Sequence, residues 1–390
     1  MTNTLKASLL LSLPALALAS CASAETGESA SAPAATSSEN AEFAIEEKGT
    51  FDRPWAIEFL PGTDTLAITQ KAGTLKLMKT GNGEVVTVTG TPQVAYGGQG
   101  GLGDVAFLES EEDREDGRTI YLSWAEAGEE DDTYGAAVGR GLLVCDDAVS
   151  ACAIEGLEVI WRQTPKVPGQ GHYSHRIQVS PDGRYLFIAS GERQKKAPAQ
   201  DLSNTLGTIV RLNLDGSPTP GNPFAERGGV TQEIWSYGHR NILGMDFAPD
   251  GALWEIEHGP KGGDELNLVQ RGANYGWPER SNGVNYNGSN IPDHSADDGF
   301  TKPAISWTPV IAPGDMVIYT GDMFEAWRGH ALIPGLKPQA LVRVAFDGES
   351  PSEQARYDFG ERLRSIDVAP DGAIWVAEDG PDARLLRLSM

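Results

Sequence analysis

Four stretches of the chain repeat one pattern of apolar and polar positions. "VSPDGRYLFIASGER" from Val179, "FAPDGALWEIEHGP" from Phe247 and "VAPDGAIWVAEDGP" from Val368 each place an apolar lead before a Pro-Asp-Gly turn and an apolar run after it. "FLPGTDTLAITQKAG" from Phe59 is a looser copy. An Asp-Gly turn between two such runs predicts a β-hairpin. Helical periodicity is nearly absent along the chain. Short strands, turn clusters and a recurring unit predict an all-β fold, a six-bladed β-propeller. Residues 43–390 have room for about six blades at the roughly 40–50 residues typical of such repeats. A pair of β-sandwiches is the alternative, and it leaves the repeat unexplained.

Propellers place functional loops at one end of the central channel. Each copy of the repeat ends in unusual residues: "SGER", "EHGP" and "AEDGP". The segment "IEHGPKGGDELNLVQRGANYGWP", residues 256–278, therefore reads as a strand followed by a long loop at the channel mouth.

Composition supports the all-β reading and narrows the chemistry. The 390 residues include 46 Gly and 24 Pro with 40% hydrophobic positions, which suits a fold with many turns. The net charge of -24 excludes general nucleic-acid binding, which needs a basic footprint. It also means that an anionic ligand requires basic residues to converge locally.

Candidates for such convergence stand in strand contexts. They are Arg240 and Asn241 in "SYGHRNILGMDF", Lys337 in "ALIPGLKPQALVRV", and Arg362 and Arg364 in "ERLRSIDVAP". Spacing of two puts the last pair on one strand face. Individually they read as partners of carboxylates such as Asp367 or as rim charges. Together they form a site for a carboxylate-rich ligand, which guanidinium groups bind bidentately. His172 and His175 lie in "PGQGHYSHRIQVSPDG", in a Gly-rich loop before a strand. A neutral imidazole there can act as a general base, although a lone loop histidine is more often idle.

Asp264, Glu265 and the carbonyls of the Gly259-Pro260 turn offer hard oxygens of the kind Ca²⁺ prefers. The alternative is an acidic turn paired with Lys261 or Arg271. Tyr275, Trp277 and Tyr286 either line a flat pocket or pack between blades. No His-x-x-x-His or Cys-x-x-Cys spacing points to zinc. No Rossmann glycine fingerprint stands after a strand and before a helix, and the chain lacks a P-loop and a Gly-x-Ser-x-Gly elbow.

The N-terminus reads as an export signal. Lys6 precedes the apolar segment "ASLLLSLPALALAS", too short for a good transmembrane span, and Leu18-Ala19-Ser20-Cys21 resembles a bacterial lipobox. Residues 1–21 are thus expected to be a lipoprotein-type signal peptide, with cleavage after Ala22 or Ala24 as the alternative. Residues 22–42 are an Ala/Ser/Pro-rich stretch expected to be a disordered tether. The expected location is the cell envelope, lipid-anchored at the outer membrane and facing the periplasm or the surface. The membrane would be met only through that anchor. In an exported protein Cys145 and Cys152 are expected to form a small-loop disulfide, the alternative being two buried free thiols.

Several ordered motifs resemble the soluble pyrroloquinoline quinone (PQQ)-dependent aldose sugar dehydrogenases of the glucose/sorbosone dehydrogenase family. They are "FDRPWAIEFLP", "YGGQGGLGDVAF", "GHYSHRIQVSPDG", "AQDLSNTLGTIVRLNLDGS", "EIWSYGHRNILGMDF", "EHGPKGGDELNLVQRGANYGWP", "LIPGLKPQALVRV" and "ERLRSIDVAPDG". The resemblance spans nearly all of the chain after residue 42, and it too implies a six-bladed propeller.

By position, the resemblance makes His172 the base that takes the proton of the sugar's anomeric hydroxyl, with hydride passing from C1 to C5 of PQQ. Arg240 polarises the quinone oxygen, with Asn241 beside it. Gln99, Tyr286, Gly335, Leu336, Lys337, Arg362, Leu363 and Arg364 fall at cofactor contacts. The carbonyls of Gly259 and Pro260 fall at a Ca²⁺ that also touches PQQ, and Glu265 and Tyr275 at a second, structural Ca²⁺. An aldose is the implied substrate, and an external quinone or small cytochrome the implied electron acceptor.

The chain departs from the family pattern in places. Gly171 stands where relatives often carry Asp or Asn, His175 replaces part of a more Gly-rich run, and Val310 stands where some relatives have Thr. Shorter loops than those that dimerise the glucose-oxidising branch, with the acidic surface, imply a monomer. The competing readings are a calcium-dependent propeller lactonase and a non-catalytic propeller that binds a glycan or protein. Only the cofactor reading requires the basic residues to converge.

Overall fold

The computed structural model describes residues 43–390 apart from 115, 147 and 349. The expected signal peptide and tether lie outside the described residues. Strands and short 3₁₀ turns account for the regular structure, with no α-helix among the described residues. None of their helices is long and apolar enough to cross a membrane.

Six antiparallel sheets form the blades of a propeller, as the repeat predicts. Blade 1 runs through Pro54–Phe59, Thr65–Gln70, Thr74–Lys79 and Val85–Val88. Blade 2 uses Leu102–Phe107, Arg118–Ala127, Thr133–Cys145 and Cys152–Arg162, with the short Val167–Pro168 added. Blade 3 comprises Ser174–Val179, Tyr185–Ser190, Thr208–Asn213 and Ile234–Tyr237. Blade 4 comprises Ile242–Phe247, Leu253–Glu257, Asp264–Leu268 and Ile305–Trp307. Blade 5 comprises Val317–Ile318, Ala331–Gly335, Ala340–Asp347 and Ser350–Asp358. Blade 6 takes Leu363–Val368, Ile374–Glu378 and Ala383–Ser389 from the C-terminus.

The fourth strand of blade 6 is Ala44–Phe51, which pairs antiparallel with Ala383–Ser389. The two ends of the described chain thereby close the ring in one sheet. Phe51, Ile57, Phe59, Leu66 and Ile68 then pack against Trp375, Ala377 and Leu385, burying the seam between blades 1 and 6.

The Pro-Asp-Gly unit is the hairpin between the first and second strands of blades 3, 4 and 6. Gly183, Gly251 and Gly372 have φ of +66°, +86° and +81°, a region that costs a glycine little. In each turn the Asp side chain accepts from the backbone two residues on, as Asp250 Oδ1 does from Ala252 N at 3.0 Å and Asp371 Oδ1 from Ala373 N at 3.0 Å.

The innermost strands leave unpaired backbone donors on the channel side, and these need partners. Carboxylates of neighbouring blades provide them. Asp104 accepts from Ile177 N at 2.8 Å, Asp246 from Ile318 N at 2.6 Å, and Asp367 from Phe59 N at 2.6 Å. Asp315 takes the Ser365 hydroxyl at 2.5 Å. Arg176 crosses the channel at their level. It bonds Asp104 at 2.9 Å, Asp315 at 3.2 Å and the carbonyls of Leu243 and Gly314, and it covers the Trp55 ring at 4.1 Å.

Cys145 and Cys152 are cross-strand partners and form a disulfide with S–S 2.01 Å.

Candidate active site

The second strand of each repeat copy ends at one mouth of the channel, and the residues after it build the site. A cavity of about 360 Å³ there is lined by Arg53, Lys71, Arg362 and Arg364 together with Gln99, Asn241, His258, Leu336 and Asp379. Among the described residues, Asp379 is the one carboxylate on that lining. It takes Arg362 Nε and Arg364 Nε at 2.9 Å each. Burial opposes ionisation of Asp379, but Arg364 and Arg362 outweigh it and hold its pKa below the usual carboxylate range. Burial and the nearby Arg364 pull the Lys71 ammonium below its ordinary value. Positive charge is therefore in excess at this mouth of an acidic chain, which is the condition for binding an anion.

A second cavity of about 340 Å³ is lined by His172, Glu192, Gln194, Lys196, Arg240, Pro260, Trp277 and Tyr286. Two hydrogen bonds join the walls of the cavities. His172 N donates to Gln99 Oε1 at 2.6 Å, and Arg240 Nη1 to the His258 carbonyl at 2.9 Å.

His172 is 7% exposed and has φ +50°, and Ser174 and His175 share that left-handed region at +56° and +53°. Such backbone costs about 1–3 kcal/mol per residue and persists where surroundings enforce it. Here they include Glu192, whose Oε1 is 2.5 Å from His172 Nδ1. Glu192 Oε2 accepts from the Lys196 backbone N–H. Burial, with Arg240 nearby, lowers the His172 pKa despite the opposing carboxylate. Burial works against ionisation of Glu192, but its bond to His172, the Lys196 N–H and the nearby Arg240 together outweigh it and lower its pKa. Nδ1–H thus donates to Glu192, leaving Nε2 with a free lone pair: a neutral, oriented base.

Arg240 is fixed through its own backbone. Its N–H donates to Glu257 Oε2 at 2.5 Å and its carbonyl accepts from Glu192 N at 3.0 Å. The guanidinium lies 5.1 Å from the Trp277 ring centre, and its Nε is buried without a partner. Asn241 N shares Glu257 Oε2 at 3.1 Å.

The Gly259-Pro260 turn is held by Asp264, which accepts from Gly259 N at 2.8 Å and Ala312 N at 2.5 Å. Burial pushes the Asp264 carboxyl up to about 6. A void of about 10 Å³, close to the room one water needs, brings Gly259, Glu265 and Tyr275 together with Glu257 and Arg280.

Most of the expected site residues converge. Gln99, Asn241, Leu336, Arg362 and Arg364 line the basic cavity, and His172, Arg240, Pro260 and Tyr286 the other. Lys337 is exposed and lines neither cavity. The Leu363 side chain is fully buried in the core with Leu332 and Ile374. Gly335 ends its strand one residue before Leu336. The arginine pair shares Asp379 rather than Asp367, whose Oδ2 accepts from a neighbouring blade. Asp264 caps backbone amides rather than pairing with Lys261 or Arg271, and Arg271 Nε donates to the Gly221 carbonyl at 3.1 Å.

The departures are also placed. A Cβ at Gly171 would meet the Gln194 side chain at 2.6 Å, and Glu192 orients the base from the loop that follows Tyr185–Ser190. His175 is locked on Ser123 Oγ at 2.8 Å and stacked on Trp55, and burial drives its pKa to about 3, so it does not compete as a base. Val310 is half-buried outside both cavities.

Sequence reasoning missed the roles of Glu192, Arg53 and Lys71. Glu192 and Lys71 stand right after the repeat strand, in "SGER" and "TQKAG", so the repeat position itself was the available signal. Replacing Glu192 with Gln removes the charge that raises the basicity of His172. Turnover is expected to fall about 10- to 100-fold, as when a group orienting a functional histidine is lost. The acid limb of the pH–rate profile should move to lower pH, because the His172 pKa falls further. An unmoved limb would contradict the pairing.

A base held neutral by burial and oriented by a buried carboxylate, beside a cation-rich cavity, has no purpose in a purely binding propeller. The class defined by fold and site is a propeller enzyme. The chain belongs to the glucose/sorbosone dehydrogenase family, whose model matches residues 51–387. It is 37% identical over 343 residues to the aldose sugar dehydrogenase YliI of Escherichia coli, covering 87% of this chain and 90% of that protein. The apo crystal structure of the soluble E. coli aldose sugar dehydrogenase superposes with TM-score 0.82 at 36% identity, over 89% of this chain and 99% of that one. The PQQ-bound aldose sugar dehydrogenase of Streptomyces coelicolor shares the fold, with TM-score 0.70 at 23% identity over 90% and 99% of the two chains.

Proposed function

We propose that this enzyme oxidises aldose sugars to lactones with PQQ and Ca²⁺ and passes the electrons to an external quinone or small cytochrome. The observation that carries the reading is the convergence of Arg53, Lys71, Arg362 and Arg364 on one cavity wall, next to the His172–Glu192 pair. Three carboxylates and an ortho-quinone match that charge excess. The fit extends to Gln99, Asn241 and Leu336 on the same lining and to Tyr286 and Trp277 across from it. Gly335, Lys337 and Leu363 enter as the backbone strips that carry Leu336 and Arg364.

His172 Nε2 takes the proton of the anomeric hydroxyl, and ionised Glu192 stabilises the imidazolium that results. Arg240 places positive charge where negative charge develops, and its unpartnered Nε is the donor left for that task. Bound PQQ supplies the acceptor for the hydride from sugar C1. The carbonyls of Gly259 and Pro260 would hold the Ca²⁺ at the cofactor, and Glu265 with Tyr275 the second, structural Ca²⁺. Export fits the Cys145–Cys152 disulfide, which persists in oxidising compartments. Lipid attachment at Cys21 and a monomeric state complete the proposal.

Equilibrium titration of the full chain with PQQ in the presence of Ca²⁺ tests the cofactor. Saturable binding is expected. Arg364→Gln should weaken it by about tenfold or more, since a hydrogen bond to a charged group contributes about 1.5–3 kcal/mol. Equal affinity in the variant would remove the basic mouth from the account.

A further inference from the structure

Beneath the Arg240-Asn241 backbone lies a cluster that the reaction does not use. His239 follows the last strand of blade 3. Glu255 and Glu257 share one face of the second strand of blade 4 at a spacing of two. Asn267 is the cross-strand partner of Glu255. His239, Glu255 and Asn267 are 0% exposed and Glu257 3%.

Their atoms are unevenly satisfied. Glu257 Oε2 is taken by the Arg240 and Asn241 amides. Glu255 Oε1 accepts from Asn267 Nδ2 at 2.7 Å, which also fixes the orientation of that amide. His239 Nε2 bonds Ser236 Oγ at 2.8 Å. His239 Nδ1, Glu255 Oε2 and Asn267 Oδ1 are buried with no hydrogen-bond partner. A buried polar atom left unpaired costs about 1–3 kcal/mol, so three in one place call for an occupant.

The distances indicate what it is. His239 Nδ1 lies 3.4 Å from Glu255 Oε1 and 3.4 Å from Glu257 Oε1. That exceeds the N–H···O range of about 2.7–3.2 Å. It matches the separation of about 3.3 Å between two ligands that share one tetrahedral ion with bonds of about 2.0–2.1 Å. One ligand atom from each of the three residues lies within 4.8 Å of the others.

We propose that His239 Nδ1, Glu255 and Glu257 hold a divalent transition-metal ion of the zinc class, buried beneath the active site. The imidazole nitrogen separates this site from the all-oxygen Ca²⁺ sites expected at Gly259, Pro260, Glu265 and Tyr275. With Nε2–H donated to Ser236, Nδ1 presents the lone pair that a metal requires. The ion neutralises two buried carboxylates and fixes Glu257, which in turn fixes the backbone of Arg240 and Asn241. Its role is positioning, since all three ligand side chains are buried and Glu257 holds the Arg240 and Asn241 amides. Spacing gave no zinc signal because the ligands come from two blades.

The test is elemental analysis of the full chain, produced with zinc available and exchanged into calcium buffer free of other metals. About one equivalent of zinc or another first-row metal per chain is expected to remain. Glu255→Gln and His239→Gln should lose it, while Glu265→Gln retains it. Anomalous scattering at the metal edge, on crystals of the unaltered protein, should place the ion between the three side chains even if a variant fails to fold. No retained metal in the unaltered protein, or metal kept in both variants, would overturn the site and leave His239 as an imidazolium between two glutamates. Neither readout needs PQQ, so failure of the sugar-oxidation reading would leave this result standing.

Discussion

Sugar-dependent turnover falls by about 10²–10⁴-fold in a His172→Ala variant, the range a positioned general base contributes. PQQ binding stays close to that of the unaltered enzyme. The split follows from where the groups lie. The cations that would receive the cofactor's carboxylates line the cavity with Arg362 and Arg364, and His172 lines the other cavity with Arg240 and Trp277. His172 is joined to the basic cavity through its backbone N–H, which donates to Gln99 Oε1 and survives the substitution. His172→Ala also removes the partner of Glu192 Oε1 but leaves Oε2 on the Lys196 amide. Stopped-flow mixing of PQQ-loaded variant with an aldose separates the steps. A slow reductive phase with unchanged PQQ affinity supports the assignment, and turnover within a few-fold of the unaltered enzyme would remove His172 from the base role.

The largest effect on stability is expected at Arg176. Arg176→Met keeps most of the side chain's bulk against Trp55 but strands Asp104 and Asp315 in the channel without their cation. Breaking a buried pair by removing one partner costs about 3–5 kcal/mol, because a buried charge is left uncompensated. The Tm should drop on the order of 10 °C. Burial already raises both carboxyls, that of Asp315 to about 6, and Arg176 is what opposes the rise. Adding Asp104→Asn and Asp315→Asn to Arg176→Met should recover much of the loss, since the amides carry no charge yet still accept from the Ile177 and Met316 backbones. A triple variant as unstable as the single one would mean that Arg176 acts through packing on Trp55 rather than through charge.

Much of this architecture was legible in the chain. The Pro-Asp-Gly hairpins recur at the same place in three blades, because a local turn signal needs no distant partner. The motifs around His172, Arg240 and Arg364 located the site for the same reason. Long-range pairings were illegible. Nothing local to Ala44–Phe51 says that it completes the last blade, or that Glu192 reaches His172 across 20 positions. Lys337 and Leu363 show the converse limit: a motif fixes the backbone path, while the direction of each side chain depends on what the neighbouring strand leaves open.

The most direct measurement is reduction of an artificial dye by the full chain loaded with Ca²⁺, with and without PQQ, across a panel of aldoses. The account predicts sugar-dependent dye reduction only when PQQ is present, and its loss in His172→Ala. Dye reduction that does not depend on PQQ, or none with any aldose despite saturable PQQ binding, would contradict it.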